Sequence, residues 1–316
     1  MRLEKKGAPL AVTEPAPANP RRPPALRAGD CVAVVAPAAA IDRASLDRGV
    51  RVLASFGYRV RVAPEAYRRS GYLAGADEPR AESFRTALVD PEVRAVFLAR
   101  GGYGSARLLP LLEDAFGACE PKILVGYSDA TALLGYATTV HGWVTFHGPM
   151  VATDVPDMSR ADARSLRDLL EGKTPPPYRL SSALRGGVAE GRLVGGNLST
   201  IVSLLGTPYA IRCRRAILFL EDRNERPYRI DRMLTQLRLG GILDSLEGLV
   251  FGEMPECGEA KELRRIVREV TGQFDFPIAF GLRSGHGRGK RTLPLGVSAR
   301  LDAGKSSLEI LEPVVR

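Results

Sequence analysis

The 316-residue chain is short of the residues that build metal centres and disulfide scaffolds: it has three histidines and four cysteines. Cys31, Cys119, Cys213 and Cys257 lie far apart with no CxxC spacing. They read as reduced, buried thiols rather than cystines or zinc ligands. His141 and His147 fit no zinc signature such as HExxH, even with Asp129 or Asp154 as helpers, and read as structural histidines. No metal and no cofactor are expected. No apolar run approaches the roughly 20 residues that cross a bilayer. The N-terminus carries basic residues but not the apolar stretch of an export signal. A cytoplasmic protein with no membrane partner is the expectation.

Aromatic residues are scarce too, at 6% with one tryptophan, Trp143. The formal charge of +9 raises the question of nucleic acid. The arginines, however, are spread along the whole chain, and the densest groups are Arg21-Arg22, Arg68-Arg69 and Arg283 to Arg291. No aromatic-interleaved basic stripe accompanies them, so no nucleic-acid partner is expected.

Hydrophobic residues make up 45% and charged residues 26%, as in an ordinary globular protein with room for two domains. Residues 1–28 are rich in Pro and Ala and read as a disordered leader. From Gly29 to residue 153, short apolar runs alternate with helical patterns. Cys31 to Ala36, Tyr58 to Val62, Val93 to Ala99 and Lys122 to Gly126 read as strands. Asp42 to Phe56, Asp77 to Leu88, Ser105 to Leu112 and Ala130 to Val140 read as helices. This alternation predicts a parallel sheet covered on both faces. Residues 154–184 read as a linker with one short helix, Arg160 to Leu170. Residues 185–316 mix strands (Gly187 to Val194, Ala216 to Leu220, Gly248 to Phe251, Val297 to Leu301) with helices (Leu198 to Leu205, Tyr228 to Leu239, Ala260 to Thr271).

Three polar residues occupy places that suit chemistry. Ser128 sits on the sharp turn between the fourth apolar strand and its helix, where free N–H groups point at whatever binds there. A helix N-cap would use the same residue. Glu221 emerges from the apolar run Ala216 to Leu220; it could orient a histidine or pair with Arg223 or Arg226. His286 lies in a glycine-rich loop, Gly281 to Gly289, which lets backbone approach a site closely. Together, a hydroxyl, an imidazole and a carboxylate are the parts of nucleophilic hydrolysis. The order Ser, acid, His is that of α/β-hydrolases. Gly126-Tyr127-Ser128-Asp129-Ala130 lacks the second glycine of GxSxG, however, and the chain after the linker does not continue as regular strand–helix units.

A set of motifs in fixed order gives a better match. These are Gly71-Tyr72-Leu73-Ala74-Gly75, Arg100-Gly101-Gly102-Tyr103-Gly104, Gly126-Tyr127-Ser128-Asp129-Ala130-Thr131, His147-Gly148-Pro149-Met150, Gly195-Gly196-Asn197-Leu198, Leu220-Glu221-Asp222, Pro227-Tyr228-Arg229-Ile230-Asp231-Arg232 and Gly285-His286-Gly287. From about residue 29 to the C-terminus the chain resembles the LD-carboxypeptidases, or muramoyltetrapeptide carboxypeptidases, a serine peptidase family that includes the microcin C immunity proteins. The resemblance implies an α/β architecture, with an N-terminal Rossmann-like domain, a C-terminal domain containing a small β-barrel, and a homodimer. It implies Ser128 as nucleophile, His286 as general base and Glu221 as orienting acid. The substrate it implies is a murein tetrapeptide, cleaved to release the terminal D-alanine in cell-wall recycling.

By position, the backbone N–H groups of Asp129 and Gly102 are expected to form the oxyanion hole. Tyr103 and Asn197 are candidate substrate contacts. Read as a phosphate cradle, Gly101-Gly102-Tyr103-Gly104 fits neither GxGxxG nor GxxxxGK[ST]. The rival within the family is an immunity-type amidase acting on peptidyl or aminoacyl nucleotides. It would want an aromatic platform for the base, and Trp143 falls in a segment read as buried. A non-catalytic ligand-binding protein on the same scaffold is the rival from another class. Arg283-Ser284 before Gly285-His286 departs from the family pattern and bears on substrate preference.

Overall fold

A computed structural model describes residues 17, 19–287, 289 and 291–316. Residues 1–16 and 18, most of the expected leader, lie outside the described residues. The first half alternates strictly: β1 (Cys31–Val35), α1 (Arg43–Ser55), β2 (Arg59–Val62), α2 (Asp77–Val89), β3 (Val93–Leu98), α3 (Leu109–Ala118), β4 (Ile123–Gly126), α4 (Thr131–Thr139) and β5 (Thr145–His147). All five strands pair in parallel. The interior strands β1 and β4 carry no polar side chain, and β3 has one, exposed Arg94, because both faces are covered. Val32, Val34, Phe97 and Val125 join one cluster with Leu46 and Leu53 of α1. Cys31, Ala33, Val35, Val96 and Leu124 join another with Phe84 of α2, Phe116 of α3 and Leu133 of α4. At the sheet edge β2 keeps the two-residue alternation, with Arg59 and Arg61 turned outward.

The second half contains α5 (Arg160–Leu170), β6 (Tyr178–Arg179), β7 (Ser182–Arg185), β8 (Val188–Asn197), α6 (Leu198–Ser203), β9 (Ala216–Glu221), α7 (Pro227–Leu239), β10 (Gly248–Gly252), α8 (Ala260–Val270), β11 (Ile278–Leu282), β12 (Leu293–Leu295), β13 (Ser298–Asp302) and β14 (Ser307–Ile310). Its sheet runs β6-β14-β13-β8-β9-β10-β11-β7. The centre, β8 to β11, is parallel; the flanks are antiparallel. The apolar stripe of α7, Ile230, Met233, Leu234 and Leu237, is buried with Leu263 and Val267 of α8 against this sheet. Among the described residues no pairing joins β6 to β7, so the expected small barrel is not seen: the sheet is open, with those two strands at its ends.

Three local expectations need correcting. The helix expected over Ser105 to Leu112 is a single 3-10 turn, Ser105–Leu108, followed by α3. Pro110 stands at the start of α3, where its missing N–H costs nothing. The end of the leader is laid onto the fold rather than free. The Arg21 N–H donates to the Gly142 carbonyl at 2.7 Å, and buried Leu26 donates to Leu170 at 2.9 Å. The stretch read as linker also supplies β6 and the start of β7.

One connection matters most for the site. After the loop that carries His286, β12 leaves the second sheet and pairs antiparallel with β5 of the first, Leu293 opposite His147. Pro294 is tolerated there because β12 forms the outer edge of that sheet. This crossover ties the histidine loop to the strand beside β4.

Candidate active site

The Ser128 turn is built by close approach. A side chain at Gly126 would meet Leu98 Cδ1 at 2.9 Å and Ala130 Cβ at 3.0 Å, so glycine lets the strand end tightly against the turn. Ser128 itself has φ of 61°, a left-handed conformation that costs a non-glycine residue about 1–3 kcal/mol. Neighbouring groups hold it there. The Tyr127 hydroxyl donates to Asp154 Oδ1 at 3.1 Å, and Asp154 Oδ2 accepts from the Met150 N–H at 3.0 Å. The buried Asp129 carboxylate accepts from the Ser105 N–H at 2.8 Å, fastening the glycine-rich loop 101–104 beside the turn. A Cβ at Gly101 would come within 3.1 Å of Ser128 Oγ, which explains glycine at that position.

Glu221 ends β9 and is fully buried. Its Oε2 lies 2.7 Å from His286 Nδ1 and accepts the His286 backbone N–H at 3.0 Å. Burial pushes the Glu221 carboxyl up, but the hydrogen bond and charge of His286, with the charge of His147, outweigh it. The carboxyl is held below its usual value. An ionised carboxylate only accepts, so Nδ1 carries the proton in this bond, and in the neutral ring Nε2 is the nitrogen left with a lone pair. The Tyr127 ring meets the imidazole edge-on, their ring centres 4.9 Å apart.

Asn197, expected as a substrate contact, is buried behind the acid instead. Its Nδ2 donates to Glu221 Oε1 at 3.3 Å and to Asp222 Oδ1 at 3.1 Å, while its Oδ1 caps α6 through the Thr200 N–H. The two glycines before it allow this approach: a Cβ on Gly195 would strike the Phe219 carbonyl, and one on Gly196 would strike Thr131. Asp222 accepts the N–H groups of Arg223 and Ser199, both at 2.8 Å, and so faces away from His286. Its burial pushes that carboxyl up despite those donors.

Ser128 and His286 line one cavity of about 300 Å³ together with Arg100, Gly101, Gly102, Tyr127, Met150, Thr153, Asp154 and Arg223. Larger hollows occur beneath α2 and along α5, at about 500 and 550 Å³, but neither holds a comparable set of converging groups. Gly102 reaches the wall with φ of 103°, where an added Cβ would lie 2.6 Å from Ala39 Cβ. Tyr103 is half exposed and stacks obliquely on exposed Tyr72, their ring centres 6.1 Å apart. Trp143 is fully buried against Phe116.

Sequence reasoning read His147 as structural, which its burial supports, but did not place it beside Glu221. His147 ends β5 in the core, with Nδ1 3.1 Å from Ser284 Oγ and Nε2 4.0 Å from Glu221 Oε1. Sequence reasoning missed Arg80, fully buried on α2, which donates to the carbonyls of Pro37 and Gly104 and pairs with Asp77. Such a cation, holding two loops near the cavity, leaves no local signature. The expected thiols are found: Cys31, Cys213 and Cys257 are free and buried, and Cys119 is half-buried. Among the described residues no three His, Cys, Asp or Glu side chains are grouped to hold a metal.

A strained serine, an imidazole oriented by a buried carboxylate and a shared cavity can together perform acyl transfer. Comparison with known proteins points the same way. Residues 32–148 match the LD-carboxypeptidase N-terminal domain, and residues 190–301 match the LD-carboxypeptidase C-terminal domain. A probable murein peptide carboxypeptidase of Bacillus subtilis is 35% identical over 302 residues, covering 92% of this chain and 94% of that one. A murein tetrapeptide carboxypeptidase of Pseudomonas aeruginosa is 33% identical over 289 residues, covering 87% and 94%. The solved wild-type apo structure of the microcin C7 self-immunity protein superposes with a TM-score of 0.86 at 25% identity, covering 94% of this chain and all of that one. The chain belongs to the LD-carboxypeptidase family of serine-type hydrolases.

Proposed function

We propose that the protein removes the terminal D-alanine from murein tetrapeptides in cell-wall recycling, with Ser128, His286 and Glu221 as its triad. The observation that carries this reading is the buried Glu221 carboxylate, which fixes Nδ1–H of His286 at the cavity that Ser128 enters. Ser128 Oγ attacks the carbonyl of the L-configured centre while His286 Nε2 takes its proton. Glu221 stabilises the imidazolium that results. The backbone N–H groups of Asp129 and Gly102 receive the oxyanion. Collapse of the tetrahedral adduct expels D-alanine, protonated by His286, and water then releases the tripeptide by the same steps in reverse roles. Exposed Tyr103 flanks the peptide. The names of the Bacillus and Pseudomonas relatives support the murein substrate. We further propose a cytoplasmic homodimer; no described helix is long and apolar enough to cross a membrane, and sedimentation of the purified protein tests the dimer.

Incubation with the peptide L-Ala–γ-D-Glu–diaminopimelate–D-Ala, followed by mass analysis, is the test. The expected products are free D-alanine and the tripeptide. Cleavage of aminoacyl nucleotide conjugates alone, with the peptide untouched, would assign the chain to the immunity-type amidases instead.

A further inference from the structure

A carboxypeptidase must distinguish a free chain end from a peptide continuing past it, and the triad carries no group for that task. In the leaving amino acid the carboxylate sits on the carbon that bears the scissile nitrogen. It therefore lies roughly one residue length, about 3.8 Å, beyond the bond being cut. The group that reads it must line the same cavity as Ser128. Among the described residues two arginines do so, Arg100 and Arg223. The cavity's own carboxylate, Asp154, is already engaged by Tyr127, Thr153 and the Met150 N–H.

The two arginines differ in place. Arg100 precedes the Gly101-Gly102 loop and spends Nη1 on the Ala40 carbonyl at 2.9 Å. That is the wall on which the oxyanion is to be received. Arg223 follows Glu221 by two residues, on the wall that carries His286, which protonates the departing nitrogen. Its backbone is fixed, because its N–H donates to buried Asp222, itself held by Ser199 and Asn197. Its guanidinium pairs with Glu256 at 2.8 Å, and the two side chains are 53% and 55% exposed. Exposed pairs of this kind contribute little, so a substrate carboxylate can displace Glu256 at small cost. A guanidinium presents two parallel N–H donors that match a carboxylate in one plane.

We infer that Arg223 binds the α-carboxylate of the departing amino acid and so makes the enzyme specific for free C-terminal ends. This assignment rests on the carboxypeptidase reading above and goes beyond it by naming the group that selects the chain end. Both cations help to attract the acidic peptide, but Arg223 sits on the leaving-group side.

The test compares the tetrapeptide ending in D-alanine with the same peptide ending in D-alaninamide, for the wild type, Arg223→Met and Arg223→Lys. The wild type is expected to favour the free acid by about tenfold to a hundredfold in kcat/KM, the range of one charge-assisted hydrogen-bonded pair. Arg223→Met should lose that factor on the free acid and fall much less on the amide, so that acid and amide react at similar rates. Arg223→Lys should fall between, since an ammonium cannot grip both oxygens in one plane. Equal wild-type rates on acid and amide would overturn the inference and leave the carboxypeptidase reading standing. So would an Arg223→Met variant slowed equally on both, which would make Arg223 a structural residue. Failure of the wild type on both peptides would overturn the functional reading and the arginine assignment with it.

Discussion

Glu221→Gln is the sharpest perturbation of the site because it keeps shape and removes charge. Glu221 Oε2 receives two donors from His286, the ring Nδ1–H and the backbone N–H, while Oε1 receives Asn197 Nδ2. A glutamine has one oxygen for three donors. With that oxygen toward His286, its amide nitrogen faces the Asn197 amide nitrogen. Asn197 cannot turn to help, since its oxygen is committed to Ser199 and Thr200. Turned the other way, the glutamine aims N–H at Nδ1 and at the His286 backbone N–H. The ring must then carry its proton on Nε2, and the base that Ser128 needs is lost. Both arrangements also leave the transient imidazolium without its buried counter-charge. The equivalent Asp-to-Asn change in a Ser-His-Asp protease costs about 10⁴-fold in kcat. Here the expected loss is at least about 10²-fold, or about 2.7 kcal/mol in the barrier. Timed release of D-alanine measures it, after circular dichroism shows the variant folded. Turnover within a few-fold of wild type would refute the assignment of Glu221 as the orienting acid.

Asp222→Asn serves as the contrast. Asp222 bonds Asn197 and the N–H groups of Arg223 and Ser199 rather than His286, so its loss should cost no more than about tenfold in kcat; collapse here with near-normal Glu221→Gln would exchange the two roles. Acid stability gives a third outcome. Burial raises the Glu221 pKa, but the hydrogen bond and charge of His286 and the charge of His147 bring it below the ordinary value of 4.5, so the unfolded chain binds the proton more tightly. That stabilisation is present above about pH 4.5 and is lost as pH falls through the lower folded value. The difference in urea stability between wild type and Glu221→Gln should narrow between pH about 7 and about 3.5; a widening gap would contradict the sign. Gly285→Ala should abolish most activity, because Gly285 has φ of 92° and a Cβ there would lie 2.4 Å from Glu221 Oε2. Gly206→Ala, at φ of 81° with nothing within 4 Å, carries the same kind of backbone strain without the clash. It should lower the melting temperature and leave kcat unchanged; a matching loss in both would show that strain alone is responsible.

The first sheet was legible in the sequence because β1, β3 and β4 are buried on both faces and are apolar save for Arg94 of β3. Ser128 and Glu221 were legible for a related reason: each follows such a run, at the strand end where a parallel sheet presents its site. What escaped was set by tertiary contact. β12 is three residues long and contains a proline, so neither length nor pattern marks it as a strand. β6 and β7 are short flanking strands whose neighbours, β14 and β11, come from distant parts of the chain. Asn197 was found by its motif but given the wrong surroundings, since nothing local says that β8 and β9 lie side by side with Asn197 opposite Glu221. His147 was read as structural, but its place beside Glu221 and Ser284 depends on contacts between distant segments that nothing local shows.

The central claim is that Ser128 forms the covalent bond. Intact-protein mass analysis after exposure to a fluorophosphonate, followed by peptide mapping, tests it directly. One phosphonyl group on Ser128, absent from Ser128→Ala and blocked by excess tetrapeptide, is the predicted result. Labelling elsewhere, or full D-alanine release by Ser128→Ala, would contradict it.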